Sequence, residues 1–136
     1  MSSTVVTEGQ ILAGKYRVER VIGEGGMGVV VAARHLHLDE PVAIKFLLPE
    51  VAQNHEAVER FAREGRASIK IKSEHVVRVM DVGTLENGLP FMVMEYLSGR
   101  DLSAVATEGG SPLAIRDVIE YVLQACEALA DAHALG

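Results

Sequence analysis

Six residues, Gly23-Glu24-Gly25-Gly26-Met27-Gly28, constrain this chain more than any other stretch. Before them, Tyr16 to Ile22 alternates apolar and polar side chains, with Tyr16, Val18 and Val21–Ile22 set against Arg17, Glu19 and Arg20. That is the two-residue period of a strand. After them, Val29-Val30-Val31-Ala32-Ala33 begins with a β-branched run, which also favours strand. The glycines therefore sit in a hairpin. Gly23, Gly25 and Gly28 fit G-x-G-x-x-G, a spacing that lets backbone approach a phosphate and offer it free N–H groups. A plain glycine hairpin is the bland reading. A dinucleotide-binding turn is the rival, but it must lead from a strand into a helix. Asp39 and Glu40 lie at a tolerable distance for a ribose-binding acid, yet they stand beside Pro41 in a turn. The strand-like run after Gly28 argues against the dinucleotide turn, which requires a helix there.

The remaining pattern supplies the frame for that hairpin. Residues 1–14 are small and polar and read as a loose leader. Asp39-Glu40-Pro41 is a turn, and Val42 to Leu48 is a third strand ended by Pro49. A helix follows from about Glu56 to Lys70, with Val58, Phe61, Ala62 and Ile69 as its apolar stripe. Gly65 weakens that helix by about 1 kcal/mol against alanine, so tertiary contacts must hold it. Val76 to Val82 and Phe91 to Tyr96 read as two further strands around an Asn87-Gly88 hairpin. Ser98-Gly99 opens a loop, Leu102 to Ala106 a short helix, and Gly109-Gly110 a break. Ser111-Pro112 then starts a long helix running to about Leu135. Five antiparallel strands with one inserted helix, then two more helices, imply an α+β fold.

Composition narrows the function classes. The chain has 136 residues, 49% apolar and 24% charged, enough for a packed core. Its net charge of -6 argues against nucleic acid as a partner, because phosphate backbones need a basic excess. Cys126 is the single cysteine, which rules out an internal disulfide and fits a reducing, cytoplasmic compartment. Met1 to Gln10 shows no signal-peptide pattern, and no apolar run reaches the ~18 residues of a membrane span. In the long helix, Ile115, Val118, Ile119, Val122, Leu123, Cys126, Leu129 and Leu135 cover far more than a narrow stripe. Such a helix is normally buried, so the isolated chain is expected to self-associate through it or to order it poorly.

Lys45 ends Val42-Ala43-Ile44-Lys45, and a lysine in so apolar a strand needs a partner for its charge unless it faces solvent. Glu64, on the helix that can cover the sheet, is the candidate partner; Glu56 and Glu59 lie nearer that helix's exposed start. With these residues in view, the chain resembles the protein kinase family, in particular bacterial Ser/Thr kinases of eukaryotic type. Ile22 to Val30 is similar to that family's glycine-rich loop, Val42-Ala43-Ile44-Lys45 to its lysine strand, and Arg60-Phe61-Ala62-Arg63-Glu64 to the helix with its paired glutamate.

The resemblance implies an ATP-binding N-lobe over residues 15–97 and a partial C-lobe over 98–136. It makes Lys45 and Glu64 the phosphate-positioning pair. It assigns nucleotide contacts to Ile22, Gly23, Glu24, Gly25, Gly26, Met27 and Gly28. By the same resemblance, Val30 and Ala43 would form the adenine roof, and Met94 would be the gatekeeper. The Glu95 carbonyl and Leu97 N–H would read the adenine edge, and Asp101 would stand near the ribose. Core packing is the bland role for Met94. Ser68 departs from the family, which usually has an apolar residue four positions after the paired glutamate.

The family's catalytic H-R-D and magnesium-binding D-F-G segments are absent from these residues; Asp131 near His133 is not such a motif. The expectation is therefore the ATP-binding portion of a kinase whose intact form uses ATP and magnesium on protein Ser/Thr, with no transfer by these residues alone. The alternative is a catalytically dead nucleotide-binding or interaction module. His35-Leu36-His37 has no Cys or carboxylate cluster beside it and makes a poor metal site. His75 falls at a position where the family has a structural histidine, and Lys70 and Lys72 read as solvated.

Overall fold

The computed structural model describes residues 6–25, 28–108 and 112–136. The leader residues Met1 to Val5, the Gly109-Gly110 break and the Ser111 helix start lie outside them. In chain order the elements are β1 (Ile11–Leu12), β2 (Tyr16–Glu24), β3 (Gly28–His35), β4 (Glu40–Leu47), α1 (Pro49–Ala52) and α2 (His55–Lys70). They continue with β5 (Val79–Thr84), β6 (Pro90–Glu95), α3 (Leu102–Glu108) and α4 (Ile115–Ala134). The strands make one antiparallel sheet in the order β1-β2-β3-β4-β6-β5. The fold is α+β, with six strands where the sequence pattern implies five.

The additional strand corrects the reading of residues 6–14 as a loose leader. Ile11 and Leu12 pair with Arg17 and Tyr16. Ala13 (φ 51°) and Gly14 (φ 70°) take left-handed conformations that turn the chain back into β2. Val6 and Leu12 are buried with Tyr16 and Val18 in the sheet's main core, so two apolar side chains are enough to recruit an otherwise polar segment. Burial, with a smaller contribution from the Asp81 carboxylate, raises the pKa of the Tyr16 phenol.

Other boundaries move for local reasons. Pro49 opens the single-turn α1 at its first position, where a missing N–H costs nothing. Asn54 caps α2: its Oδ1 accepts the N–H groups of Glu56 at 2.9 Å and Ala57 at 3.3 Å. β5 begins at Val79 instead of Val76.

The chain divides into two compact units. The first contains the sheet, α1 and α2, and ends at Tyr96. The second comprises Ile71–Val77 and Leu97–Gly136, so Leu97 and the short 71–77 loop depart from the boundaries implied by the resemblance. Within the second unit, His75 Nε2 in that loop lies 3.0 Å from a Glu127 carboxylate oxygen on α4.

Within the first unit the sheet has two differently covered faces. Val29, Val31, Ala33, Val42, Ile44, Phe46, Phe91 and Val93 point into the main core. On the other face, α2 packs Phe61 against Leu47, Val79 and Met92. Gly65 sets the depth of that docking. A Cβ there would lie 2.6 Å from Val82 Cγ1 and 3.1 Å from Met92 Cε. Gly65→Ala gains about 1 kcal/mol of helix propensity and loses about 1–3 kcal/mol to overpacking. The net loss of up to about 2 kcal/mol should lower the melting temperature by up to about 8 °C, which thermal denaturation followed by circular dichroism would measure.

Candidate functional site

Strand register builds the candidate site row by row. Gly23 pairs with Val30, Val30 with Lys45, and Lys45 with Met92. The adjacent row runs Arg20, Ala32, Ala43 and Met94. Paired residues in antiparallel strands share a face, so these side chains lie on the side of the sheet that carries α2. The α2 helix covers the Met92 end through Gly65. Ala32 and Ala43 are buried, while Val30 and Lys45 are half-buried. The result is a small apolar floor of short side chains with one ammonium at its edge.

Lys45 and Glu64 do not form an ion pair within 4.0 Å. Glu64 is exposed, whereas Gly65, the next residue, is buried against the sheet. Adjacent helix positions differ by about 100°, so Glu64 stands at the margin of the docking face and not on the opposite side. Ser68, three positions after Gly65, is half-buried and gives no large apolar anchor there.

The motif glycines have different local roles. A Cβ on Gly28 would come within 2.3 Å of the Phe46 carbonyl oxygen, so this glycine is required by close strand approach. Among the described residues, a Cβ on Gly25 would meet nothing within 4 Å, and one on Gly23 only Val30 Cβ at 4.0 Å. The Gly25 N–H donates to the Gly28 carbonyl at 2.9 Å, which commits that amide to closing the turn. Gly26 and Met27 lie outside the described residues. Ile22 and Glu24 are exposed on β2.

At the far end of the sheet, Met94 packs against the α2-side core, the bland role open to it. Glu95 is pinned: its N–H donates to the Arg78 carbonyl at 2.9 Å, and its Oε1 accepts the Arg78 N–H at 3.0 Å. Arg20, which no local pattern singles out, donates from Nη2 to Tyr96 Oη at 2.5 Å across 76 residues of sequence. In the second unit, Leu97 is 61% exposed. Asp101 caps α3, with Oδ1 accepting the Ala104 N–H at 2.7 Å. His35 uses Nδ1 to accept the N–H groups of His37 and Leu38, both at 3.2 Å, so it organises a turn.

The segment after the glycines is strand β3 and not a helix, which removes the dinucleotide-binding alternative. A family model described as the protein kinase domain matches residues 16–136. The chain belongs to the protein kinase family. Serine/threonine-protein kinase pkn3 of Myxococcus xanthus is 41% identical over 128 residues, covering 94% of this chain and 23% of that protein. Serine/threonine-protein kinase PrkC of Bacillus subtilis is 35% identical over 125 residues, covering 92% and 19%. The crystal structure of the Mycobacterium tuberculosis PknI kinase domain superposes with a TM-score of 0.83 at 29% identity, covering 97% of this chain and 52% of that one. The chain thus spans less than a quarter of the length of these two curated relatives and about half of a solved kinase domain.

Two glycine substitutions separate packing from site. Gly28→Ala should cost at least about 2 kcal/mol, because backbone must shift to clear the carbonyl. Gly25→Ala should stay within about 0.5 kcal/mol of wild type. Urea unfolding of both variants checks this.

Proposed function

We propose that these residues bind ATP as the nucleotide-holding part of a Ser/Thr protein kinase, which in its complete form transfers the γ-phosphoryl group to protein Ser/Thr hydroxyls. The single observation carrying this reading is the row Gly23–Val30–Lys45–Met92 beside Ala32–Ala43–Met94. A flat heterocycle suits a mostly apolar floor with few directed polar groups. Val30 and Ala43 would contact its face, with Met94 behind it. The Glu95 carbonyl and Leu97 N–H would read its edge, and Asp101 would approach the ribose. The unobstructed space over Gly23 and Gly25 fits a phosphate chain, because no Cβ stands in its way.

Lys45 supplies the positive charge that a polyphosphate requires, and a small rotation of α2 would bring Glu64 inward to hold that ammonium. Intact kinases also use magnesium. Among the described residues, no group of three or more His, Cys, Asp or Glu side chains is placed to hold a metal, and no step is assigned to one. The reading includes a cytoplasmic setting and protein substrates. Among the described residues, no helix is long and apolar enough to cross a membrane.

Lys45→Met should weaken binding of a fluorescent ATP analogue at least about tenfold, as expected when a charge-assisted phosphate contact is lost. With magnesium and a generic protein substrate, the 136 residues alone should show no phosphoryl transfer above background, since H-R-D and D-F-G are not among them. Analogue binding that ignores Lys45, or transfer that Lys45→Met abolishes, would count against the respective half of the reading.

The partner reading rests on α4. Ile115, Val118, Ile119, Val122 and Leu129 recur at helical spacing and are 41–78% exposed. On the opposite edge, Gln124 Nε2 donates to Glu120 at 3.2 Å. We infer that the isolated chain covers this stripe with a second copy. Multi-angle light scattering should give a mass above that of one chain, and Val122→Glu with Leu129→Glu should return it to monomer. A wild-type monomer would refute the inference.

A further inference from the structure

We propose that Arg20 and Tyr96 form a clasp that sets the width of the nucleotide slot, making Arg20 a positioning residue for the heterocycle. The idea rests on the ATP-binding reading above and extends it to a residue outside the glycine, lysine and glutamate motifs. Arg20 and Met94 lie in one cross-strand row, with Ala32 and Ala43 between them. Three strand spacings separate Arg20 from Met94 by about 14 Å. Tyr96 lies two residues beyond Met94, and its side chain meets that of Arg20 although β2 and β6 are not neighbours in the sheet. Arg20 Nη2 donates to Tyr96 Oη at 2.5 Å, and its guanidinium carbon stands 5.9 Å from the Tyr96 ring centroid. The guanidinium thus makes both a charge-assisted hydrogen bond and a cation–π contact with one partner.

The placement gives the contact its consequence. Arg20 lies three residues before Gly23, on the strand that carries the glycine turn. Tyr96 directly follows Glu95, whose backbone and side chain are both pinned to Arg78. The clasp therefore links a strand with register shifts between Val18 and Arg20 and between Val21 and Gly23 to the pinned segment at Glu95. A β-bulge leaves a strand easier to bend, so the shift between Val21 and Gly23 separates Arg20 from the glycine turn, and the restraint at Arg20 acts on the row of Ala32, Ala43 and Met94. Ala32 and Ala43, the short residues that make room for a flat ring, occupy the row that the clasp spans.

The test is displacement of a fluorescent ATP analogue from the full chain and its Arg20→Met, Arg20→Lys, Tyr96→Phe and Arg20→Met/Tyr96→Phe variants. The competitors are ATP and inorganic triphosphate. Arg20→Met and Tyr96→Phe should each weaken ATP about threefold to tenfold, and the double variant should be no weaker than the worse single one. Arg20→Lys should recover part of the loss. Triphosphate should compete equally in all variants, because the clasp acts on the ring's slot and not on the phosphates. Melting temperatures should agree, which a merely structural role would not predict. Unchanged ATP affinities, losses that multiply in the double variant, or an equal loss for triphosphate would overturn the clasp. A wild-type chain that binds no analogue, or binds it regardless of Lys45→Met, overturns the ATP-site reading and takes the clasp with it.

Discussion

Backbone pairing across β2, β3, β4 and β6 is the constraint on which the rest of this structure depends. Strand side chains alternate between faces, so a slip of one residue in β4 would exchange the two faces of that strand. Lys45 would then enter the core now filled by Ile44 and Phe46, both fully buried, at the cost of desolvating an ammonium. Ile44 and Phe46 would in turn face the side carrying α2. The register is thus enforced from the apolar side. Lys45 stands on the α2 side because its neighbours cannot, and the same pairing puts it between Val30 and Met92.

The second constraint is how closely α2 can approach that face. Gly65 allows the helix backbone down onto Val82 and Met92, the latter the cross-strand partner of Lys45. This close contact holds Glu64 at the edge of the docking face, one helical position away. Phe61 is the other buried anchor, and half-buried Ser68 adds little apolar contact a turn later. A helix gripped mainly at Phe61 and Gly65 can roll about that line more readily than one anchored along its length. The missing Lys45–Glu64 ion pair is consistent with such a lightly held helix.

Periodicity made most of the sheet legible. Alternation in Tyr16 to Ile22, the β-branched run after Gly28 and the Asn87-Gly88 turn all correspond to strands or hairpins in the structure. β1 was not legible because two residues carry no period; its order comes from burying Leu12 with Val6, a tertiary effect. The start of α2 was readable in principle, since Asn54 is a strong capping residue. Lys45 and Glu64 could be named as a candidate pair from residue type and position, but their actual separation could not. It is decided by helix rotation, which depends on Gly65, Val82 and Met92 together. Arg20 and Tyr96 were invisible for a related reason: neither is unusual in its own strand, and only register brings their row together.

One motif can therefore hold residues kept for unrelated physical reasons. Gly28 opens β3, and the Phe46 carbonyl fills the place where its Cβ would be. That demand would exist in a sheet of this register even if it bound nothing. Among the described residues, Gly23 and Gly25 face no such obstacle, so packing there gives no reason to exclude a side chain from either. The space over them is what a ligand's phosphates would occupy. The spacing of the three glycines is consequently weaker evidence of phosphate binding than it looks, since one is already required by the sheet. A nucleotide is better supported by the other two, by the charge of Lys45, and by the short side chains of Ala32 and Ala43 in the adjacent row.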